Sequence, residues 1–328
     1  MGSKRQVSSM NDAALNPTLP ADFVERLRQT IDPQDWEEVW ASFEGSKPAY
    51  ARVNGLLGSV AQVLEDPEVR DLGPSIIDSM PWTLRFDPAV RDKLTRTQAA
   101  SDGRLYLQRL SSQLAAPLLN PQPGETVLDL AAAPGGKTLH LAALMENEGR
   151  LSAVEPIKPR MYRLADNLKR GGVTIARTYL MDGRKVGRKT PDRFDRVLLD
   201  APCSSEARIR RDQPESYQFW SARKIKEQSR KQRGLLVAAL KATKPGGRVV
   251  YCTCSFAPEE NEAVVQHALE AFEGEARLLA FDVPEVKSRE GLTAWQGEAW
   301  DERLALTRRV LPSAETDGFF LALLERES

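Results

Sequence analysis

From residue 124 to the end of the chain, short apolar runs alternate with stretches of helical periodicity. Apolar runs of about four to eight residues between turn residues are typical of strands buried on both faces. Their alternation with helices predicts βαβ units around a parallel sheet, so we expect residues 101–328 to form a doubly wound α/β domain. Two later runs, 277–281 and 319–324, are predicted to close one edge of the sheet. The other predicted strands are 126–130, 150–154, 173–179, 194–199 and 248–252, and the predicted helices are 137–145, 156–170, 217–243 and 258–272.

The first hundred residues lack this alternation. Residues 1–19 are polar and without periodicity, which predicts a loose tail. The spacing of Phe23, Leu27 and Ile31 is helical, and further apolar-periodic stretches follow. We therefore predict that residues 20–100 form a small, mainly helical module.

Composition excludes several classes of protein. No apolar run approaches the roughly 18 residues of a membrane span, and the N-terminus has no apolar stretch of the signal-peptide type. The cysteines Cys203, Cys252 and Cys254 are too few and too clustered for a disulfide framework, so a cytoplasmic location is expected. The histidines, His140 and His267, occur in no zinc-binding spacing. We expect a monomer that uses neither a metal nor a membrane.

Charge is unevenly distributed along the chain. Between Arg150 and Arg233 there are 22 Lys and Arg residues against 10 Asp and Glu, whereas the remainder has 24 against 36. An imbalance of this size indicates a polyanionic partner for the middle third of the chain. The alternative is a set of solvated helix faces whose charges happen to cluster.

A glycine-rich turn follows the first predicted strand. Its two glycines let a ligand approach the backbone, and a helix N-terminus behind it supplies amide donors. The dinucleotide pattern G-x-G-x-x-G is absent, and a Walker phosphate loop matches only the end of the turn. The turn reads Ala131, Ala132, Ala133, Pro134, Gly135, Gly136, Lys137 and Thr138.

Two features separate the remaining alternatives for this turn. Pro134 removes an amide donor from a loop that would have to cradle phosphates. Glu155 ends the second strand, 26 residues after Asp129, where a carboxylate accepts hydrogen bonds from ribose hydroxyls. Both favour a ligand with a ribose and little phosphate, such as S-adenosylmethionine. A P-loop nucleotide hydrolase, with Val197–Asp200 as its magnesium-binding strand, remains the alternative.

Cysteines follow two of the later strands. Asp200 ends one strand with Cys203 close behind it, and Cys254 follows the next. The carboxyl ends of parallel strands meet at one edge of a sheet, so these side chains are predicted to line the ligand-binding edge. Cys252 lies within its strand and is predicted to belong to the core.

Together these motifs resemble the Sun/Fmu (RsmB-type) family of RNA 5-methylcytosine methyltransferases. The combination of Pro202-Cys203 with Thr253-Cys254-Ser255 is the most specific part of the resemblance, which extends from about residue 50 to the end of the chain. The other matching segments are Arg52-Val53-Asn54, Leu105-Tyr106-Leu107-Gln108, Leu128 through Thr138, Asp182-Gly183, Asp200-Ala201, Lys244-Pro245-Gly246-Gly247, and Arg309 with Pro312 and Asp317-Gly318-Phe319-Phe320.

The resemblance implies a Rossmann-like methyltransferase domain with a mostly parallel seven-stranded sheet. It implies that Ala131–Lys137, Glu155, Asp182 and Asp200 line an S-adenosylmethionine site. It also implies Cys254 as the nucleophile and Cys203 as the residue needed for product release. The chain departs from the family at Ala131, where many relatives have cysteine, and at Ser313 and Ala314, where a histidine is common.

The chemistry explains why such groups are needed. Carbon 5 of cytosine becomes nucleophilic only after a thiolate has added to carbon 6. We hypothesise that Asp200 provides the proton or hydrogen bond at ring N3, and that Lys137 lowers the pKa of the Cys254 thiol.

The target base must be unpaired or flipped out of its helix, so RNA contacts are expected around it. Tyr217, Phe219 and Trp220 are candidates for stacking on bases, and packing against the sheet is the alternative. We expect RNA as the partner, with ribosomal RNA preferred over transfer RNA. A non-catalytic RNA-binding protein is a further alternative. The basic candidates are Arg208, Arg210, Arg211, Arg223, Lys224, Lys226, Arg230, Lys231 and Arg233.

Overall fold

A computed structural model describes residues 19–327. The predicted tail, residues 1–19, lies outside this range except for Leu19. No helix within the described range is long and apolar enough to cross a membrane. The helices are α1 (Ala21–Thr30), α2 (Trp36–Ala41), α3 (Val60–Glu65), α4 (Pro67–Arg70), α5 (Arg91–Leu94), α6 (Gln98–Ser101), α7 (Ala115–Leu119), α8 (Gly136–Leu144), α9 (Lys158–Arg170), α10 (Val186–Lys189), α11 (Ala222–Ala242) and α12 (Glu262–Ala271). The strands are β1 (Ala49–Val53), β2 (Ser75–Ile77), β3 (Met80–Phe86), β4 (Leu105–Leu107), β5 (Thr126–Asp129), β6 (Arg150–Glu155), β7 (Ala176–Leu180), β8 (Phe194–Asp200), β9 (Thr243–Thr253), β10 (Ala276–Leu278), β11 (Ser288–Glu290), β12 (Ala294–Trp295), β13 (Glu298–Ala299), β14 (Arg308–Val310) and β15 (Phe319–Arg326).

A mostly parallel sheet forms the centre of the molecule. Its order is β11-β14-β15-β9-β8-β5-β6-β7, and β10 also pairs with β15. The strands from β5 to β9 run parallel, whereas β15 lies antiparallel to β9 and β14 antiparallel to β15. The predicted doubly wound α/β fold is therefore confirmed. The seven predicted strands correspond to β5–β9, β10 and β15, and β11 and β14, which were not predicted, bring the sheet to nine strands within the described range.

Alternate side chains of each central strand enter different layers of the core. Leu128 of β5 faces the layer that contains α11 and α12, whereas its neighbour Val127 faces the layer that contains α7 and α8. In β8, Val197 and Leu199 share the first layer and Leu198 lies in the second. Both faces of the central strands β5 and β8 are thus buried, which explains why Val127-Leu128 and Val197–Leu199 are continuously apolar in the sequence.

The N-terminal region, predicted to be mainly helical, contains an antiparallel sheet of order β2-β3-β1-β4. The prediction missed it because all five residues of β1 are buried, so the strand shows no polar–apolar alternation. The fourth strand, β4, lies beyond residue 100, so this sheet extends past the predicted boundary of the module. Helices α1 and α2 pack elsewhere, against Ala207, Ile209, Phe256 and Leu311 of the α/β domain.

Helix α11 is amphipathic. Ser221 caps its start by accepting a hydrogen bond from the Lys224 amide at 3.2 Å. One face is buried against the sheet through residues such as Leu236 and Ala239. The opposite face is exposed and carries most of the predicted basic residues, which are Arg223, Lys226, Arg230, Lys231 and Arg233.

Candidate active site at the carboxyl edge of the sheet

The turn between β5 and α8 is held tightly by its neighbours. Gly135 has φ +111°, and a Cβ there would lie 3.0 Å from Leu164 Cδ1. A Cβ on Gly136 would lie 2.6 Å from Tyr106 Cε1, so both positions require glycine. Side chains of α9 fix the turn from the other side. Arg160 donates to the carbonyl of Ala133 at 2.9 Å, and Asn167 donates to that of Pro134 at 2.7 Å.

Arg52, one of the residues of the family signature, lies fully buried beneath the turn. Its guanidinium donates to the Gly136 carbonyl at 3.1 Å and to Gln108 Oε1 at 3.3 Å. Burial lowers its pKa to about 9. Sequence analysis gave Arg52 no role in the site, because nothing local indicates that β1 passes under a turn more than 80 residues away.

Carboxylates end successive strands along this edge. Glu155 ends β6, is almost fully buried and accepts a hydrogen bond from the Ile157 amide at 3.0 Å. Asp129 ends β5, and burial raises its pKa to about 7 although Thr138 donates to its Oδ2 at 2.7 Å. Asp182 follows β7, and hydrogen bonds from Arg184 hold its pKa below the usual value.

Lys137 and Asp200 form a close ion pair. Lys137 Nζ donates to Asp200 Oδ2 at 2.7 Å and also to the hydroxyl of Ser112. The ring of Phe319 lies 5.4 Å from the same ammonium. Burial acts to lower the pKa of Lys137, but the charge and hydrogen bond of Asp200, together with the charges of Cys252 and Asp129, outweigh it and the pKa is raised. Lys137 is thus the partner of Asp200, and its hypothesised role as the cation beside Cys254 is wrong.

The thiols of Cys203 and Cys254 meet at this edge, with their Sγ atoms 3.3 Å apart. A hydrogen bond from Cys203 and the charge of Arg208 lower the pKa of Cys254 to about 6, although burial opposes them. The same hydrogen bond, together with burial, raises the pKa of Cys203. Both pKa shifts favour the thiolate at Cys254 and the neutral thiol, as the donor, at Cys203. Arg208 provides the positive charge that sequence analysis assigned to Lys137.

Cys252 is fully buried, which confirms its predicted place in the core. Its Sγ lies 3.6 Å from Asp200 Oδ1, and burial raises the pKa of this thiol. Cys252 is therefore a neutral donor to Asp200, a contact that the sequence did not indicate.

Two buried glutamates brace the cysteine-bearing loops. Glu206, in the loop after β8, accepts hydrogen bonds from the Ser255 hydroxyl at 3.1 Å and the Phe256 amide at 2.9 Å. Glu260, in the segment after β9, accepts from the Ser204 amide at 2.9 Å and from Ser255 at 3.0 Å. Each loop thus holds the other in place, which fixes the relative position of the two thiols.

The predicted RNA-contacting residues divide into two groups. Tyr217 and Trp220 are partly buried against the apolar cluster that includes α1 and α2, and not against the sheet as the alternative expected, whereas Phe219 is 75% exposed. Arg210 and Arg211 form ion pairs with Asp317 and Glu44. Arg208 and the cations on the outer face of α11 remain exposed.

Over residues 19–327, no group of three or more His, Cys, Asp or Glu side chains is arranged to hold a metal ion.

A sequence model of the family described as "16S rRNA methyltransferase RsmB/F" matches residues 116–325. The matched range contains Glu155, Asp200 and both thiols of the site. The chain belongs to this family. Its RsmB/F domain therefore identifies it as a methyltransferase, as the resemblance implied.

Individual relatives agree with membership in the RsmB/F family. The chain is 35% identical over 300 residues to the tRNA (cytosine(49)-C(5))-methyltransferase of Pyrococcus abyssi, covering 89% of this chain and 92% of that protein. It is 37% identical over 266 residues to ribosomal RNA small subunit methyltransferase F of Vibrio campbellii, covering 78% of this chain but only 54% of that protein. The crystal structure of PH0851 superimposes with a TM-score of 0.81 and 35% identity, covering 94% of this chain and 66% of that one.

Proposed function

We propose that the protein transfers a methyl group from S-adenosylmethionine to carbon 5 of a cytosine in RNA. The single observation that carries the proposal is the pair of thiols, whose Sγ atoms lie 3.3 Å apart. Carbon-5 methylation needs a nucleophile for carbon 6 and a separate group for the later steps, and two distinct thiols meet that need. The names of relatives in the RsmB/F family support the same reaction.

The edge of the sheet fits the proposed cofactor. In the turn Ala131–Lys137, Pro134 is exposed and Ala131 is partly exposed, and the absence of a Cβ at Gly135 and Gly136 lets the backbone pass close to Leu164 and Tyr106. We propose that the buried carboxylate of Glu155 accepts hydrogen bonds from the ribose hydroxyls of the cofactor. Asp129 Oδ1 is a further buried oxygen, and it has no hydrogen-bond partner in the described protein. Asp182 and Asp200 complete the set of residues that would hold S-adenosylmethionine, which supplies the electrophilic methyl group.

The thiolate of Cys254 is proposed to add to carbon 6 of the cytosine, forming a carbon–sulfur bond and making carbon 5 nucleophilic. After carbon 5 has taken the methyl group, its proton leaves and the electrons of that bond expel the Cys254 thiolate. Cys203 lies next to the departing sulfur and is proposed to assist this release.

The role of Asp200 at ring N3 stays a prediction. Lys137 Nζ donates to Asp200 Oδ2 at 2.7 Å, so we propose that Lys137 and Asp200 act on the base as a hydrogen-bonded pair. A carboxylate there is also suited to accept a hydrogen bond from the exocyclic amino group of cytosine. The pair would thus recognise the base and stabilise its ring while Cys254 is attached.

Both transfer RNA and ribosomal RNA occur among the substrates that the names of the relatives print. Our preference for ribosomal RNA stays a prediction, as do a cytoplasmic location and a monomeric state. Bisulfite mapping of cellular RNA with and without the gene is expected to reveal one or more cytosines whose methylation depends on the protein.

The P-loop hydrolase has no support in the site. Lys137, which would have to reach a phosphate, is buried in its contact with Asp200 and Ser112. Calorimetric titration with S-adenosylhomocysteine and ATP tests this directly. Binding of ATP without binding of the homocysteine analogue would contradict the proposed function.

The roles of the two thiols are tested by substitution. Cys254→Ala is expected to abolish methyl transfer and any covalent RNA adduct, because the attacking sulfur is gone. Cys203→Ala should still permit attack and methylation but stall afterwards, leaving RNA bonded to Cys254 as a slowly migrating band on a denaturing gel. The double variant serves as the control and should lose the band. An adduct that survives Cys254→Ala and disappears with Cys203→Ala would reverse the assignment. RNA binding by the wild-type protein without any methyl transfer would support the non-catalytic alternative.

A further inference from the structure

A buried carboxylate surrounded by cations lies close to the two thiols. Asp317, between β14 and β15, is 5% exposed and forms ion pairs with Lys47, Arg109 and Arg210. Lys47 Nζ lies 3.4 Å from Asp317 Oδ1 and also donates to the carbonyl of Thr316. We call Lys47, Arg109, Arg210 and Asp317 the cationic cradle. Its members come from four separate segments of the chain, so only the fold assembles it.

The cationic cradle carries more positive than negative charge. Three cations face one carboxylate, and the nearby carboxylate of Glu315 is already occupied by Arg85 through two hydrogen bonds of 2.8 Å. Burial, together with the charges of Arg210 and Arg109, lowers the pKa of Lys47 to about 8 in spite of the attraction of Asp317. Cations held together in this way are stabilised by a further anion, since each additional negative charge relieves their mutual repulsion.

The cationic cradle is connected directly to the catalytic loops. Arg210 donates to the carbonyl of Ala207 at 3.3 Å, and the amide of Ala207 donates to the carbonyl of Cys254 at 3.1 Å. Phe319, two residues after Asp317, lies against the ammonium of Lys137. The side chain of Arg109 is 51% exposed, so the cradle is open to solvent on that side.

We propose that the cationic cradle binds a phosphate of the RNA backbone next to the target cytidine, with Asp317 holding the three cations in position. This inference rests on the proposed function and adds a fixed binding site for one phosphate of the RNA substrate. A guanidinium provides two parallel donors to a phosphate, and Arg109 is the member that can turn towards one without leaving the surface. The exposed cations of α11 are spread along a helix and attract RNA over a longer range. The cradle, by contrast, is preorganised beside Cys254 and positions one nucleotide.

The first test measures binding without relying on catalysis. The probe is a fluorescent oligocytidine RNA of about 15 nucleotides, titrated at several salt concentrations. Arg109→Gln is expected to weaken binding by about tenfold at low salt and to lower the salt slope by about 0.7, the value for one lost contact to a single-stranded phosphate. Arg277→Gln is the matched control, because Arg277 pairs with Glu325 at the opposite edge of the sheet. An equal effect of both substitutions would overturn the proposal.

The second test asks which phosphate is bound. A series of oligoribonucleotides with one cytidine among uridines carries a neutral methylphosphonate at a different position in each member. Replacement of a phosphate adjacent to the cytidine should weaken wild-type binding by about tenfold and should not weaken binding by Arg109→Gln any further. Independent, multiplying losses at every position would overturn the proposal.

A third measurement separates the cradle from the cofactor and from the proposed function. Affinity for S-adenosylhomocysteine should be the same in Arg109→Gln as in the wild type. A loss of that affinity with unchanged RNA binding would assign the cradle to the cofactor carboxylate and overturn the proposal. Absence of methyl transfer by the wild-type protein would refute the proposed function, while the two RNA-binding tests would still decide whether the cradle binds phosphate.

Discussion

The acidity of Cys254 gives the most direct test of the site, because the hydrogen bond from Cys203 contributes most to it. Cys203→Ala removes the S–H donor that lies 3.3 Å from Cys254. A hydrogen bond to a charged group contributes about 1.5–3 kcal/mol, which corresponds to about one to two pKa units. The pKa of Cys254 should therefore rise from about 6 to about 7–8, and no further, since Arg208 remains in place.

This rise has a measurable consequence at neutral pH. A thiol with a pKa of about 6 is roughly nine-tenths ionised at pH 7, and a pKa of about 7–8 reduces that to roughly one-half to one-tenth. Because the pKa of Cys254 is lowered in the folded protein, the reactive thiolate predominates at pH values above that pKa. The thiolate is lost as the pH falls below the pKa. The wild-type protein should thus stay reactive down to about pH 6, while Cys203→Ala should lose reactivity one to two pH units earlier.

The assay is the rate of iodoacetamide alkylation between about pH 5 and pH 9, with each modified cysteine located by mass spectrometry. It requires neither RNA nor cofactor, so it reports on the thiol alone. Cys203→Ser is the matched control, because its hydroxyl keeps a donor near the thiolate and should leave the midpoint close to that of the wild type. A wild-type midpoint near the ordinary value of 9.0, or faster alkylation of Cys203 than of Cys254 at low pH, would refute the assignment.

Three further predictions concern cations and their partners. Arg52→Met removes a charge-assisted hydrogen bond to the turn and should weaken S-adenosylhomocysteine binding by about tenfold or more in calorimetry. Unchanged affinity would mean that the turn keeps its conformation without this hydrogen bond. Asp317→Asn leaves buried cations without their counter-ion and should lower the free energy of unfolding by about 3–5 kcal/mol in urea denaturation, whereas a loss below about 1 kcal/mol would show that the cations are already well solvated. Replacing Arg223, Lys224 and Lys226 together with glutamine should lower the salt slope of RNA binding by about 2, and a slope unaffected by the triple change would identify this face of α11 as merely solvated.

Local sequence patterns were sufficient to predict the α/β domain and the edge of its sheet at which the reactive groups lie. Apolar runs and helical periodicity depend on residues close together in the chain. The bounds of β5, β6 and β8 therefore differ from the predicted bounds by at most one residue. The order of strands and helices then places Glu155, Asp200, Cys203 and Cys254 at one edge, because parallel strands share a direction. In the N-terminal region the same reasoning predicted helices such as α1 but missed the sheet, because β1 is buried on both faces and shows no alternation.

What the sequence by itself determined was therefore the fold class, the edge at which the chemistry occurs and the residue types available there. Only the tertiary structure decided which charge lies beside which group. Lys137 pairs with Asp200 and Arg208 acts on Cys254, although both cations follow predicted strands and look equally suited to the thiolate. Electrostatic effects depend on distances of a few ångströms between segments far apart in the chain. Those distances come from packing, and local sequence patterns do not contain them.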